Sequence, residues 1–214
     1  MKKELSTNEF IKIILAICDN VEKEKDYLSE LDRATGDGDH GVTMSIGWSA
    51  VKEKISILDD NLTFDKICMQ IASSFLSAVG ASAGPLYATA LMRGGAKLKD
   101  LTVINSSQLS EFFDAAANGI QDRGKANLGD KTMLDVWLPT AKKIKDISSS
   151  TDNIIEILEQ GSLTANEKML STKDMLSKKG RSSKLGERSR GHIDPGAASS
   201  ALIFKTFYEA TQNL

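Results

Sequence analysis

Asp32, Asp37 and Asp39 place three carboxylates within eight residues of the run Leu31-Asp32-Arg33-Ala34-Thr35-Gly36-Asp37-Gly38-Asp39-His40-Gly41. Left unpaired, they would repel one another and raise each other's pKa, so a cation is the natural resolution. An all-carboxylate set suits a hard ion such as Mg²⁺. Gly36, Gly38 and Gly41 let the backbone turn sharply between the ligands. A solvated acidic turn is the plain alternative, since Asp-Gly runs are common in turns. The flanks favour ligation. An apolar, helix-patterned segment precedes the loop and a second, Met44 to Leu58, follows it, which sets the carboxylates at a helix N-terminus where phosphate oxygens also bind. An EF-hand is excluded, because Asp32-x4-Asp37-x-Asp39 lacks that loop's alternating ligands and terminal Glu.

The elements that must hold this loop read as helices. Ser6-Thr7-Asn8-Glu9 has the form of a capping box, followed by Phe10, Ile14, Ile17 and Val21 at helical spacing. Met44, Trp48, Val51, Ile55 and Leu58 form a second apolar stripe. Thr63 is placed to cap a third helix carrying Phe64, Ile67, Cys68, Ile71 and Phe75. Gly80-Ala81-Ser82-Ala83-Gly84-Pro85 breaks the pattern and leads into a fourth helix toward Lys97, with Pro85 as its first residue. So bare a backbone suits either close approach to a ligand or a tight interhelical turn. Leu109, Phe112, Phe113, Ala116 and Ile120 predict a fifth helix. Met133, Val136, Trp137 and Ile144 predict a sixth, bent at Pro139. Asn153 to Lys179 reads as one long helix or two short ones, since Gly161 weakens its middle. Asp194 and Pro195 are a natural N-cap and first residue for an eighth, reaching Tyr208. Only Leu101 to Ile104 hints at a strand, so the fold class is an all-α antiparallel bundle of about eight helices.

Two further stretches bear on chemistry. Gly124-Lys125-Ala126-Asn127-Leu128-Gly129-Asp130-Lys131-Thr132 is one insertion away from a Walker A loop, but Asp130 spoils the spacing and a helix leads in, so a P-loop is rejected. From Lys178 to Arg190, six basic residues face the single acid Glu187 in a segment rich in Ser and Gly. Such a segment is either a solvated loop or a flap that folds over a polyphosphate at the next helix N-terminus.

Composition narrows the function classes. With 214 residues and 41% hydrophobic content, the chain can bury one good core, and one domain spanning residues 1–214 is expected. A net charge of −2 and a pI near 5.8 give no basic footprint for nucleic acid. Cys18 and Cys68 fall on apolar stripes and read as small buried hydrophobes in a reducing cytosol. Glu9 and Lys12 interrupt the first apolar run and no small-residue cleavage site follows, so no signal peptide is expected; no segment is long and apolar enough to span a membrane, and the location expected is cytoplasmic.

Four ordered motifs then converge. They are Leu31-Asp32 through Gly41, Gly84-Pro85-Leu86-Tyr87, Gly129-Asp130-Lys131-Thr132-Met133 with Asp135, and Lys179-Gly180-Arg181 through Gly186-Glu187-Arg188-Ser189 to Gly191-His192 and Asp194-Pro195-Gly196-Ala197. Together they resemble the nucleotide-binding L subunit of dihydroxyacetone kinase, of the phosphotransferase-system-dependent type, over nearly the whole chain. The resemblance implies an antiparallel eight-helix barrel with ADP or ATP and two Mg²⁺ ions at one end. It gives Asp32, Asp37 and Asp39 the metal-ligand role. It assigns nucleotide contacts to His40, Gly41, Val42, Thr43, Ser82, Ala83, Gly124, Met133, Arg188, Asp194, Pro195 and Gly196, with Arg188 supplying charge near a phosphate. Two positions depart from the family. Thr43 stands where Asn is usual, and Ser82-Ala83 where Ala-Ser is usual, so either backbone amides bind the phosphate or Ser82 rotates in.

The implied activity is phosphoryl transfer by metals and positioning, with no reacting side chain. Dihydroxyacetone sits on a separate K subunit, and a phosphohistidine M subunit of the phosphotransferase system rephosphorylates bound ADP in place. An ATP-using kinase subunit for a related keto sugar and a nucleotide-dependent module regulating a transcription factor are the alternatives. A homodimer is the remaining expected association.

Overall fold

A computed structural model describes residues 1–59, 61–80 and 82–214. Ala81, in the small-residue stretch singled out above, lies outside the described residues. The described residues form nine α-helices: α1 (Thr7–Lys23), α2 (Lys25–Arg33), α3 (His40–Ile55), α4 (Phe64–Ala78), α5 (Ala83–Ala96), α6 (Ser106–Gly124), α7 (Leu134–Ser148), α8 (Ile154–Ser171) and α9 (Pro195–Gln212). Two short strands, β1 (Glu4–Ser6) and β2 (Val103–Asn105), pair antiparallel with Leu5 opposite Ile104.

Local chemistry accounts for most of the boundaries. The Ser6–Glu9 capping box starts α1, and Asn105 with Gln108 makes a second one at α6. Asp194 caps α9 by accepting the Ala197 N–H at 2.8 Å, with Pro195 in its first turn. Thr63 is the N-cap of α4, but its hydroxyl donates to Asp65 and makes no cap bond. The segment from 153 resolves as one helix, α8, which ends in a 3-10 turn at Thr172–Asp174. Gly161 belongs there for packing, since a Cβ would stand 2.9 Å from Ile144 of α7. Pro139 sits inside α7, which runs on through it.

Consecutive helices from α3 to α9 pack side by side, and α1 closes the ring by packing on both α9 and α3. Eight helices therefore form the barrel, as expected, and the short α2 extends from α1 toward the acidic loop. Phe10, Phe64, Phe112, Phe113, Phe204 and Phe207 fill the interior with tilted and edge-on ring contacts. Each such ring buried contributes roughly 1.5–3 kcal/mol. Cys18 and Cys68 are buried and free, and burial pushes the Cys18 thiol up to about 12. The alternation of directions gathers the starts of α1, α4, α6 and α8 at the ladder end, where Thr102, Leu101 and Lys2 carbonyls accept from Thr7, Phe64 and Ile154. The starts of α3, α5, α7 and α9 gather at the other end, beside the acidic loop.

Candidate functional site

At that end lies a cavity of about 540 Å³. Its acidic wall is built by α2 and the loop after it. Asp32, buried in the last turn of α2, uses Oδ2 to accept the N–H groups of Asp39 at 2.9 Å and His40 at 3.2 Å. Asp39 is the N-cap of α3 and makes no side-chain cap bond, so a carboxylate from the preceding helix does that work. One carboxylate oxygen from each of Asp32, Asp37 and Asp39 lies within 4.8 Å of the others, with Asp32 buried and the other two exposed. Such an all-oxygen donor set suits a hard divalent cation.

Facing this wall is the chain between α8 and α9. Gly180, with φ +67, turns it so that Arg181 pairs with Asp37 and lies 3.8 Å from Asp39. All three side chains are at least 46% exposed, so solvent screens the pairing and it is worth no more than about 1 kcal/mol. A cation of higher charge competes with it readily. From Arg181 to Ser189 the chain forms 3-10 turns broken at Gly186, with φ +54.

The floor belongs to the start of α9. Ser199 and Ser200 both donate to the Gly196 carbonyl, at 3.1 and 2.8 Å. His40 Nε2 and the Tyr87 hydroxyl each lie 2.9 Å from Ser199 Oγ, and Trp137 Nε1 donates to Ser200 Oγ at 3.0 Å. Side chains from α3, α5 and α7 thus lock the first turn of α9 in place. Burial pushes the His40 imidazole down to about 4, partly offset by Asp32, so it is neutral at pH 7. Burial also pushes the Asp194 carboxyl up to about 7, against the pull of the Ala197 hydrogen bond.

The remaining wall is the loop once compared with a P-loop. Asp135 of α7 accepts from the Gly129 and Thr132 N–H groups, at 2.5 and 2.7 Å, which bends the loop back on itself. Gly129 and Lys131 take left-handed φ values of +84 and +61 within it.

Of the residues expected at the site, Asp32, Asp37, Asp39, His40 and Thr43 line the cavity from one side. Ser82, Ala83, Gly124 and Met133 line it from another, and Asp194, Pro195 and Gly196 from the floor. Three residues stand elsewhere. Gly41 is buried behind the loop, where a Cβ would run into the Lys25 carbonyl and Ser29. Val42 is 44% exposed, and Arg188 is exposed as well, and neither lines the cavity. Arg181, Lys179, Lys131, Thr132, Tyr87 and Arg123 do line it, although the sequence did not single them out as contacts. For Arg181 a signal existed: Gly180 beside it marks the turn that aims it inward.

Residues 34–209 match the DAK2 domain. The chain belongs to the DAK2 domain family. This DAK2 chain is 38% identical over 196 residues to the ADP-binding subunit DhaL of the PEP-dependent dihydroxyacetone kinase of Escherichia coli (strain K12), covering 91% of the chain and 92% of the relative. It is 36% identical over 191 residues to the ADP-binding subunit DhaL of the PTS-dependent dihydroxyacetone kinase of Lactococcus lactis subsp. lactis (strain IL1403), covering 89% and 91%. Its fold matches the dihydroxyacetone kinase of C. freundii, solved in complex with AMP-PNP and Mg²⁺, with a TM-score of 0.75 at 21% identity, over 98% of this chain and 35% of that one. The DAK2 fold is thus the all-α barrel expected from the helix pattern. Among the described residues no helix is long and apolar enough to cross a membrane.

Proposed function

We propose that the chain is the ADP/ATP-binding subunit of a phosphoenolpyruvate-dependent dihydroxyacetone kinase. It acts as a single cytoplasmic domain that presents a Mg²⁺-bound nucleotide to dihydroxyacetone held on a separate K subunit. The observation that carries this reading is the convergence of three carboxylates, within 4.8 Å of one another, on the rim of a cavity built from helix N-termini. The relatives named above support the choice of nucleotide and reaction.

The residues fit both ligands. Asp32, Asp37 and Asp39 are hard oxygen donors of the kind that hold Mg²⁺, two ions in this reading, while the N-terminal turns of α3, α5 and α9 favour phosphate anions. Gly124 and Met133 leave space and an apolar surface for a base, and 540 Å³ is ordinary for a small-molecule site, which spans roughly 300–1,000 Å³. When bound, Mg²⁺ supplies the charge neutralisation that phosphoryl transfer needs. The chain's own part is to position and to screen. Asp32 fixes the acidic loop to the start of α3, Arg181 brings positive charge to the same rim, and the segment around it shields the phosphates from water. A phosphohistidine M subunit then restores ADP to ATP without its leaving the cavity.

Titrating the purified chain with ADP, with and without Mg²⁺, tests the reading, followed by phosphoryl transfer with K and M subunits and phosphoenolpyruvate. Metal-dependent ADP binding and turnover only when both subunits are added are expected. No ADP binding at saturating Mg²⁺, or turnover of dihydroxyacetone by this chain alone with ATP, would overturn it.

A further inference from the structure

A lysine facing a nucleotide cavity is ordinarily read as a phosphate ligand, and Lys131 lines this one. Its surroundings assign it different work. The residue is 1% exposed, and its Nζ donates to three backbone carbonyls: Ser189 at 2.5 Å, His192 at 2.7 Å and Met175 at 3.3 Å. An ammonium has three protons, and all three are committed. None remains for a phosphate.

Those acceptors share one place in the fold. Met175 opens the excursion between α8 and α9, and Ser189 and His192 close it, so Lys131 joins the two strands of its neck. Other bonds tie the same neck: Ser177 N–H donates to Ser189 Oγ at 3.0 Å, Gly191 N–H to the Lys173 carbonyl at 2.8 Å, and Lys178 N–H to the Asp130 carbonyl at 3.0 Å. Beyond the neck the chain reaches Arg181, which pairs with Asp37 across the cavity mouth. Lys131 lies at the centre of these ties, aimed inward by its own left-handed backbone and by the Asp135 clasp on either side of it.

We propose that Lys131 is a positioning residue: its ammonium pins the neck of the 175–192 excursion and so sets Arg181 over the carboxylates, without touching the nucleotide itself. The proposal deepens the phosphoryl-transfer reading, yet its central contact is made wholly within this chain and is tested without nucleotide. A compact ammonium is required. A guanidinium carries at most two protons on any nitrogen and cannot present three from one atom, and a methionine leaves three carbonyls without a donor.

The test uses the wild-type chain first. Lysine acetylation by acetic anhydride, read by mass spectrometry, should modify Lys131 at least about tenfold more slowly than the exposed Lys142, equally with and without Mg²⁺ and ADP. Rapid labelling of Lys131 in the free chain that Mg²⁺ and ADP suppress would mark a phosphate ligand and overturn the proposal. Second, K131M and K131R should both speed tryptic cleavage at Arg181 and Lys184 in nucleotide-free protein by about tenfold, with helical circular dichroism retained. Wild-type cleavage in both folded variants would also overturn it. Third, K131M and R181A should each lower kcat in the reconstituted reaction, and the double variant should lose no more than the more damaging of the two single changes. Additive losses would count against a route through Arg181. If the chain binds no nucleotide, the first two readouts still decide the neck while the functional reading fails by itself.

Discussion

Gly36 and Asp32 share a space that admits only one side chain: a Cβ on Gly36 would collide with Asp32 Oδ1. The same Asp32 carboxylate caps α3 through its other oxygen. Gly36→Ala is therefore expected to displace one carboxylate from the metal set and to strain a helix cap together. Stability should fall by about 1 kcal/mol, the usual worth of a cap, while Mg²⁺-dependent ADP affinity drops by tenfold or more. Thermal melting and ADP titration measure the two. Unchanged affinity would show that Asp32 Oδ1 is not needed at the site.

The Asp37 and Asp39 side chains are exposed, and among the described residues their only charged partner is Arg181, so little of the barrel depends on their carboxylates. Asp37→Asn and Asp39→Asn should retain helicity and melting temperature within a few degrees, yet lose Mg²⁺-dependent nucleotide retention. Absorbance of the purified variants at the adenine band reads retention directly. Full occupancy in either variant would remove that residue from the metal set.

Two arginines of the same segment should separate cleanly. Arg181 faces the carboxylates, whereas Arg188 lies past the Gly186 break and is exposed away from the cavity. Arg181→Ala is expected to slow phosphoryl transfer by roughly tenfold to a hundredfold, in line with loss of a charge-assisted contact, and Arg188→Ala to stay within about twofold. The reverse order would place the phosphate charge on Arg188.

The Asp194 carboxyl is raised to about 7 by burial, while the unfolded chain carries it at the ordinary 3.8. Between those values the folded state holds the proton and the unfolded state has lost it. Its contribution to stability is therefore full below about pH 4 and is lost as pH rises to 7, at up to about 1.4 kcal/mol per pH unit. Asp194→Asn keeps a cap acceptor and cannot ionise. Its stability relative to wild type, measured by denaturant unfolding in metal chelator, should climb between pH 4 and pH 7. A constant difference would show that Asp194 does not titrate in this range.

How much of this was legible beforehand depended on the length and contrast of each pattern. The stripes of α1 and α3 repeat over four turns and the structure buries Phe10, Ile14, Ile17, Val21, Met44, Trp48, Val51 and Ile55 as read. By contrast α2 is nine residues long with only Leu28, Ser29 and Asp32 buried, too few for a period to show. The strands are three residues each, below the length at which alternation speaks, and β1 is hidden inside the approach to a capping box. At the site, the acidic loop announced itself because three carboxylates in eight residues need a reason. Arg181 and Arg188 did not, since both lie in one basic segment and only the turns at Gly180 and Gly186 decide which points inward. Lys131 was discounted with the P-loop, and its partners, being backbone carbonyls some fifty residues away, leave no trace in residue types.

The ring closes only when α9 packs against α1, and the cavity takes Asp32 from α2, which directly follows α1, and Asp194 to Gly196 from the start of α9. During synthesis, which delivers about 5–20 residues per second, the acidic loop leaves the ribosome long before the floor of the cavity exists. A growing chain therefore holds its carboxylates without the helix that opposes them. Ligand cannot rescue such a chain, because it stabilises only the form that binds it. A ligand in the cavity would therefore stabilise only those chains in which α9 has docked on α1, a distinction that the acidic loop alone cannot make.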